Sequence, residues 1–376
     1  MIGRLQERHI LEWIDRGKAI VVTGPRQTGK TTLVRKITSV LDRAHLWLTG
    51  DDPAVRTTLA HISLSSLRAV VAEYRVLVID EAQRLTNTGL TLKLLTDHFP
   101  GLQIFVTGSS ALDLNAQIKE SLVGRKVEFQ LFPLSFEEMC SHHGLLQERA
   151  MLEQRLLYGY YPEVVNQGVE RAEKTLYDLS DGLMYKDLLV LDALKKPSLL
   201  VKLLQALALQ LGNEVRYHEV AQLIGADPLT VERYIDLLEQ TFVLFRLPSL
   251  SRNARNEIKK GRKIYFYDNG IRNALIKNFN PLALRQDTGA LWENFLVTER
   301  MKRNTYRNHY CNTWFWRTTG QQEIDYVEEY GGSLHAFEFK WHPQGKARFP
   351  QSFLEAYPGT ETTLVHPGNF DAFLLG

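Results

Sequence analysis

Residues 24–31 read GPRQTGKT: Gly24 and Gly29 stand five apart, followed at once by Lys30 and Thr31. This is the pattern G-x-x-x-x-G-K-[ST], and each position has a phosphate-binding reason. The glycines let the main chain turn tightly with its N–H groups facing inward. A helix starting near Lys30 adds free N–H groups and a partial positive charge. Lys30 would reach the β- and γ-phosphates and Thr31 would give a hydroxyl to Mg²⁺. The expected nucleotide-binding set is Gly24, Pro25, Arg26, Gln27, Thr28, Gly29, Lys30, Thr31 and Thr32. A second apolar run, 74–79 (YRVLVI), leads into Asp80 and Glu81. Asp80 suits the far side of the same Mg²⁺, and Glu81 is placed to polarise an attacking water. The pair points to hydrolysis of ATP rather than phosphoryl transfer to a metabolite.

A second group of chemical residues lies near the end of the chain. In HAFEFKW (335–341), Phe337, Phe339 and Trp341 share one face, and Ala336, Glu338 and Lys340 the other. Runs 322–328 (QEIDYVE) and 334–340 (LHAFEFK) read as strands, and Gly331 and Gly332 favour a turn between them. If Glu329 closes against Leu334, Asp325 stands opposite Glu338. Directly opposed carboxylates repel, and a divalent cation would offset the repulsion. Lys340 would then orient a water or stabilise a phosphate, and Glu293, from a helix read over 289–300, would complete the metal shell. The alternative is a solvated face on which Lys340 and Arg317 neutralise two acids.

The elements that must carry these residues follow from periodicity. Run 19–23 (AIVVT) is a buried strand feeding the phosphate loop, and 103–107 (QIFVT) is a third strand. Residues 153–211 have helical periodicity and suit a lid over the nucleotide. Two short helices, 218–225 and 229–240, flank the turn Ala226, Asp227, Pro228 with helix-turn-helix spacing. Strands at 242–247 and 263–267 then make a wing. Between them a basic loop carries Arg252, Arg255, Lys259, Lys260 and Arg262 against Glu257 alone. With Arg233 these are the candidate nucleic-acid contacts. The second helix also carries Glu232, Asp236 and Glu239, which repel a phosphate backbone and speak against a transcription regulator.

Bulk properties bound these readings. The 376 residues suit two or three domains. With 44% hydrophobic and 23% charged residues, the chain can bury a core. A net charge of +2 is too mild to argue for nucleic acid by itself. Cys140 and Cys311 are isolated, which excludes a disulfide framework or a thiolate metal site. The charged N-terminus lacks a signal-peptide core, and no run is long and apolar enough for a membrane. The expectation is a cytoplasmic protein.

The phrases GPRQTGKTTL, LTGDDPAVR, VLVIDEAQRL, FVTGSSALDL, GRKVEFQLFPLSFEE and YGYYPEVV resemble prokaryotic AAA-type ATPases of the archaeal ATPase group. KIYFYDNGIRNAL and GALWENF resemble their C-terminal domain of unknown function. The resemblance covers nearly the whole chain. It implies an ATPase core, a winged helix and a nuclease-like tail, but no known pathway. It also implies a polar residue at the end of the strand between the phosphate loop and the metal acid, touching the γ-phosphate: Ser109, with Thr107 second. Arg125, after Gly124 and before a strand, would be an arginine finger acting in trans, or else a surface residue paired with Glu128. Such ATPases commonly assemble as homo-oligomers, often hexamers. Asp325, Glu338, Lys340 and Glu293 are similar to the D…(E/D)-x-K set of restriction-endonuclease-like domains.

The expected fold is α/β: an AAA+-like P-loop domain with a parallel sheet (1–150), a helical lid (151–212), a winged helix (213–284) and a restriction-endonuclease-like α/β domain (285–376). The expected function is an ATP-hydrolysing enzyme, with ATP and Mg²⁺ as cofactors, acting on single-stranded, duplex or branched DNA. The rival expectation is a nucleotide-dependent switch that binds protein partners and carries an inactive nuclease-like tail.

Overall fold

The computed structural model describes residues 2–60, 62–109, 122–182, 197–251, 261–342 and 349–376. Contacts divide the chain into two compact units. The first is residues 1–134 with 240–242, and the second is residues 135–239 with 243–376.

The first unit is built on five parallel strands: β1 (Ala19–Thr23), β2 (His45–Thr49), β3 (Val76–Asp80), β4 (Gln103–Gly108) and β5 (Lys126–Gln130). Their order is β2-β3-β4-β1-β5. Strands β1, β3 and β4 are buried along their whole length, which explains their unbroken apolar runs. One core cluster, with Val21, Ile79, Leu92 and Val106, packs on one set of alternating strand residues. A second, with Ile20, Val34, Val78 and Phe105, packs on the other. Because β4 lies between β1 and β3, the carboxyl ends of all three strands converge. Register pairs Thr23 with Gly108 and Ile79 with Val106, which aligns the phosphate loop, Asp80 and Thr107. Ligands of open α/β sheets bind at such a carboxyl edge.

The second unit begins where Ser135 caps helix α6 (Phe136–His143) through a capping box with Glu138. Short helices α7 (Leu145–Ala150), α8 (Leu152–Tyr158), α9 (Pro162–Gln167) and α10 (Val169–Gly182) follow, then α11 (Pro197–Leu209). The helical run predicted over 153–211 is thus several helices, broken at Gly159 and Gly168. By contacts these helices group with the back of the chain, from Ser135 onward.

Next come strand β6 (Glu214–Val215), helices α12 (Tyr217–Ile224) and α13 (Pro228–Gln240), and strands β7 (Leu244–Pro248) and β8 (Arg262–Phe266). The three strands form an antiparallel sheet ordered β6-β8-β7. Helix α14 (Asn269–Leu275) leads to the long helix α15 (Thr288–Tyr306). Asn294 of α15 is bonded to both main-chain groups of Phe266, locking β8 to this helix.

The last sheet has order β12-β11-β10-β9. Strands β9 (Asn312–Arg317), β10 (Glu323–Tyr330) and β11 (Ser333–Phe339) form an antiparallel meander, and β12 (Glu361–Val365) runs parallel to β11 after helix α16 (Gln351–Ala356). Helix α17 (Phe370–Leu375) closes the chain. The β10–β11 turn has φ of +59° and +81° at Gly331 and Gly332, the paired positive angles of a two-residue hairpin. Register pairs Glu329 with Leu334, as the glycine turn predicts. Among the described residues, no helix is long and apolar enough to cross a membrane.

Candidate functional site

The phosphate loop connects β1 to helix α2 (Lys30–Val40). Gly24 has φ +144°, and a Cβ there would meet the Leu131 carbonyl oxygen at 2.2 Å, so no other residue fits without rebuilding the loop. The Lys30 ammonium is buried and donates to the carbonyls of Gly24 (2.8 Å) and Pro25 (2.6 Å), folding over its own loop. Thr28 Oγ1 donates to Pro25 O (2.9 Å). Arg4, which sequence reasoning missed, donates to the carbonyls of Thr28 and Phe132, both at 2.6 Å, and staples the loop. Arg26 and Gln27 lie at the outer side of the turn, Gln27 in the left-handed region at φ +58°, and Thr32 is exposed on the first turn of α2.

Thr31 Oγ1 lies 3.0 Å and 3.1 Å from the two carboxylate oxygens of Asp80. The Thr107 hydroxyl, from β4, also donates to Asp80 and accepts from the main-chain N–H of Glu81 (3.2 Å). Glu81 itself has φ +51°, an uncommon conformation for a side-chain-bearing residue. Its carboxylate accepts from Gln83 Nε2 at 2.6 Å, and the same nitrogen donates to Ser109 Oγ at 2.9 Å. Lys30, Thr31, Asp80, Glu81, Thr107 and Ser109 are therefore brought to one edge of one sheet. Gln83 was missed; its position three residues after Asp80 gave no signal on its own.

Arg125 stands at the opposite end of the sheet from the phosphate loop. Its carbonyl accepts from the N–H of Ala19, the first residue of β1, which puts it at the amino end of the sheet. The phosphate loop is at the carboxyl end, about 15 Å away for a five-residue strand. Its guanidinium pairs with Asp97 at 2.5 Å, while Glu128 pairs with Lys126. Arg125 thus lies far from the phosphate loop of its own subunit.

The second cluster lies at the β10–β11 hairpin. β10 has a bulge between Ile324 and Val327, opposite Trp316 and Trp314, and Asp325 lies within it. Asp325 stands one step beyond the last hairpin pair, Tyr326–Phe337, and its carboxylate accepts from the N–H of Phe339 (2.8 Å). Lys340 Nζ is 3.1 Å from Glu338. Burial pushes the Glu338 carboxyl up to about 7, the Asp325 charge adds to the rise, and Lys340 opposes it. Glu293 also rises to about 7, by burial first; Lys263 opposes that rise and Asp325 adds to it. The four expected residues are thus electrostatic neighbours.

Two more residues belong to this cluster. Lys263 of β8 is fully buried, with Nζ 2.7 Å from Glu293 and 2.5 Å from Glu323. Tyr265, two residues on and on the same face, donates to Glu293 at 2.6 Å. Burial alone would lower the Lys263 pKa, but the charges of Glu293, Asp325 and Glu323 outweigh it and raise the value. The carboxylate of Glu293, expected as a metal ligand, thus accepts from both Lys263 and Tyr265. Among the described residues, no three His, Cys, Asp or Glu side chains are grouped to hold a metal ion.

The nucleic-acid candidates divide. Arg252, Arg255, Lys259 and Lys260 lie outside the described residues. Arg262 is engaged: it donates to Tyr217 Oη (2.9 Å) and lies 3.7 Å from Glu232. Arg233 is exposed, its guanidinium over the Tyr234 ring. The acids of α13 are also less repulsive than expected, since Arg246 of β7 pairs with both Asp236 and Glu239. A cavity of about 710 Å³ is lined by Arg216, Ser249, Trp316, Arg317 and Thr318 among others.

Residues 16–140 match the family model of an AAA domain. Residues 149–282 and 288–374 match two models, each described as a domain of unknown function. An uncharacterized protein of Mycobacterium tuberculosis is 27% identical over 333 residues, covering 87% of this chain and 71% of its own. An uncharacterized protein of Methanocaldococcus jannaschii is 22% identical over 334 residues, covering 82% and 72% respectively. Among solved structures, the chain is similar to a Walker-type ATPase of Pyrococcus abyssi (TM-score 0.46, 19% identity, 73% of this chain and 96% of that one). It is also similar to RuvB of Thermotoga maritima (TM-score 0.34, 18% identity, 69% and 96%). With the phosphate loop and Asp80 at the edge of a parallel sheet, residues 16–140 form an AAA-type, P-loop ATPase-like domain.

Proposed function

We propose that the protein is an ATP-hydrolysing AAA-type enzyme that acts on DNA. The observation that carries the hydrolytic reading is the meeting of Thr31 with Asp80, with Glu81 next in sequence. A hydroxyl and a carboxylate at this separation are the hard oxygen donors that Mg²⁺ takes, so the residues fit the ion. Thr31 and Asp80 would hold it, and when bound it neutralises phosphate charge. The loop N–H groups and Lys30 bind the phosphates. Glu81 takes the proton of the attacking water, and Thr107 and Ser109 steady the two acids through Asp80 and Gln83. Arg125 would serve only a neighbouring subunit, in a homo-oligomer of undetermined number.

For the back of the chain, the reading is a winged helix over 213–284 and a restriction-endonuclease-like domain over 285–376, with the helical segment 151–212 before them. The helix–strand–helix–helix–strand–strand order supports the former, and the α15 to β12 succession the latter. Asp325 and Glu338 fit one divalent cation, since their mutual repulsion calls for a positive charge. Lys340 would orient water there.

One observation favours a second reading, a nucleotide-dependent switch that binds protein partners and carries an inactive tail. The carboxylates of this cluster already hold lysines. A paired assay separates the two. ATP turnover is followed with and without single-stranded, duplex and branched DNA, and the same samples, with Mg²⁺ or Mn²⁺, are examined for cleavage. Stimulated turnover, with nicking lost in Lys340→Ala and turnover lost in Lys30→Ala, supports the enzyme acting on DNA. Turnover indifferent to every DNA, without cleavage, favours the switch.

A further inference from the structure

Glu293 and Glu323 share one buried cation of the chain's own. Lys263 comes from β8, outside the last sheet, and reaches Glu293 of α15 and Glu323 of β10 at once. It is fully buried, with its ammonium 5.5 Å from the Phe315 ring centre. Two features fix its aim. Asn294 bonds both main-chain groups of Phe266, so β8 is held in register along α15, one residue from Glu293. Tyr265 then spends its hydroxyl on the same Glu293 oxygen, Oε1, that Lys263 holds.

A buried ammonium is tolerated only when paired, and removing one partner of such a pair is strongly unfavourable. A divalent cation taken by Glu293 would have to displace Lys263 or lie beside it with the same sign of charge. Asp325 and Glu338 make no direct ion pair with Lys263. Asp325 accepts a main-chain N–H, and Glu338 meets the half-exposed Lys340, whose stem can swing. We propose that Lys263 is an internal counter-ion that removes Glu293 and Glu323 from the metal-binding set and competes with a divalent cation for the cluster. The proposal rests on the reading of Asp325 and Glu338 as a cation site.

Mn²⁺ binding to the full-length chain tests it, read by electron paramagnetic resonance of the free ion. Every protein carries Asp80→Asn to silence the phosphate-loop site. Glu293→Gln is expected to keep the Mn²⁺ affinity within twofold, whereas Asp325→Asn and Glu338→Gln lose it at least tenfold. Lys263→Gln is expected to tighten binding at least tenfold. The Glu293→Gln result stands even where Lys263→Gln does not fold. Loss of Mn²⁺ in Glu293→Gln to the extent seen in Asp325→Asn overturns the proposal and leaves the cation site intact. An unchanged or weaker affinity in a folded Lys263→Gln also overturns it. Absence of Mn²⁺ from the parent and Lys263→Gln alike removes the cation site and the proposal together.

Discussion

The Glu81 carboxylate and the Ser109 hydroxyl accept from one and the same amide nitrogen, that of Gln83. This bridge ties Glu81, the acid proposed to activate water, to the end of β4. Gln83→Ala should leave nucleotide affinity within about twofold and lower kcat by about tenfold, since a misaligned base loses part of a 10²–10⁴-fold effect. Ser109→Ala should give a smaller loss in the same direction. Phosphate release at saturating ATP measures both. A Gln83→Ala protein with full kcat would remove the bridge from the mechanism.

Lys30→Ala and Glu81→Gln should separate binding from turnover. The first removes the ammonium that stands over the loop and should abolish binding of a fluorescent ATP analogue. The second keeps the loop intact, so it should bind ATP normally and turn over at least 10²-fold more slowly. Normal turnover by either variant would overturn the site assignment.

Arg125 is paired with Asp97 far from its own phosphate loop, so its effect on hydrolysis can come only from a neighbouring copy. Turnover per subunit should rise as the protein is concentrated, and Arg125→Ala should abolish that rise. Below the concentration of self-association, parent and variant should have equal rates. A concentration-independent rate from a monomer by sedimentation rules the finger out.

Glu338 links stability to pH. Its carboxyl rises from an ordinary 4.5 to about 7, through burial and the Asp325 charge. The folded protein therefore keeps a proton that the unfolded chain has released. This contribution is fully present below about pH 4.5 and is lost as pH rises through about 7. Glu338→Gln stays neutral throughout. It should be more stable than the parent by about 1–3 kcal/mol at pH 8, with the gap closing near pH 5. Urea unfolding read by tryptophan fluorescence suits this test, since Trp292, Trp314, Trp316 and Trp341 all lie in the last sheet or beside it. A gap that widens toward pH 5 would contradict it.

What was legible in the sequence was local. The phosphate loop declares itself because its chemistry lies in eight consecutive residues. Asp80 and Glu81 follow from one buried strand end, and the β10–β11 register follows from two glycines. What was missed is held by distant partners. Lys263 reads as one residue of an apolar strand, and its acids lie 30 and 60 residues further on. The pairing of Arg125 with Asp97, and of Asp236 and Glu239 with Arg246, likewise depends on how elements come together rather than on spacing. The bulge at Asp325 left no mark either, because an extra residue in a strand is compositionally ordinary.

The locking of β8 to α15 bears on how the molecule can be taken apart. A fragment cut at the gap between residues 282 and 288 would carry Glu293 and Glu323 without Lys263, and Asn294 without the main chain it caps. It would expose the face of α15 that β8 covers and leave like charges facing each other in an apolar setting. Expressed alone, residues 288–374 should aggregate, whereas a piece starting at Ser135 keeps the pair together. The smallest separable part of the back of this protein is therefore larger than either matched segment, 149–282 or 288–374.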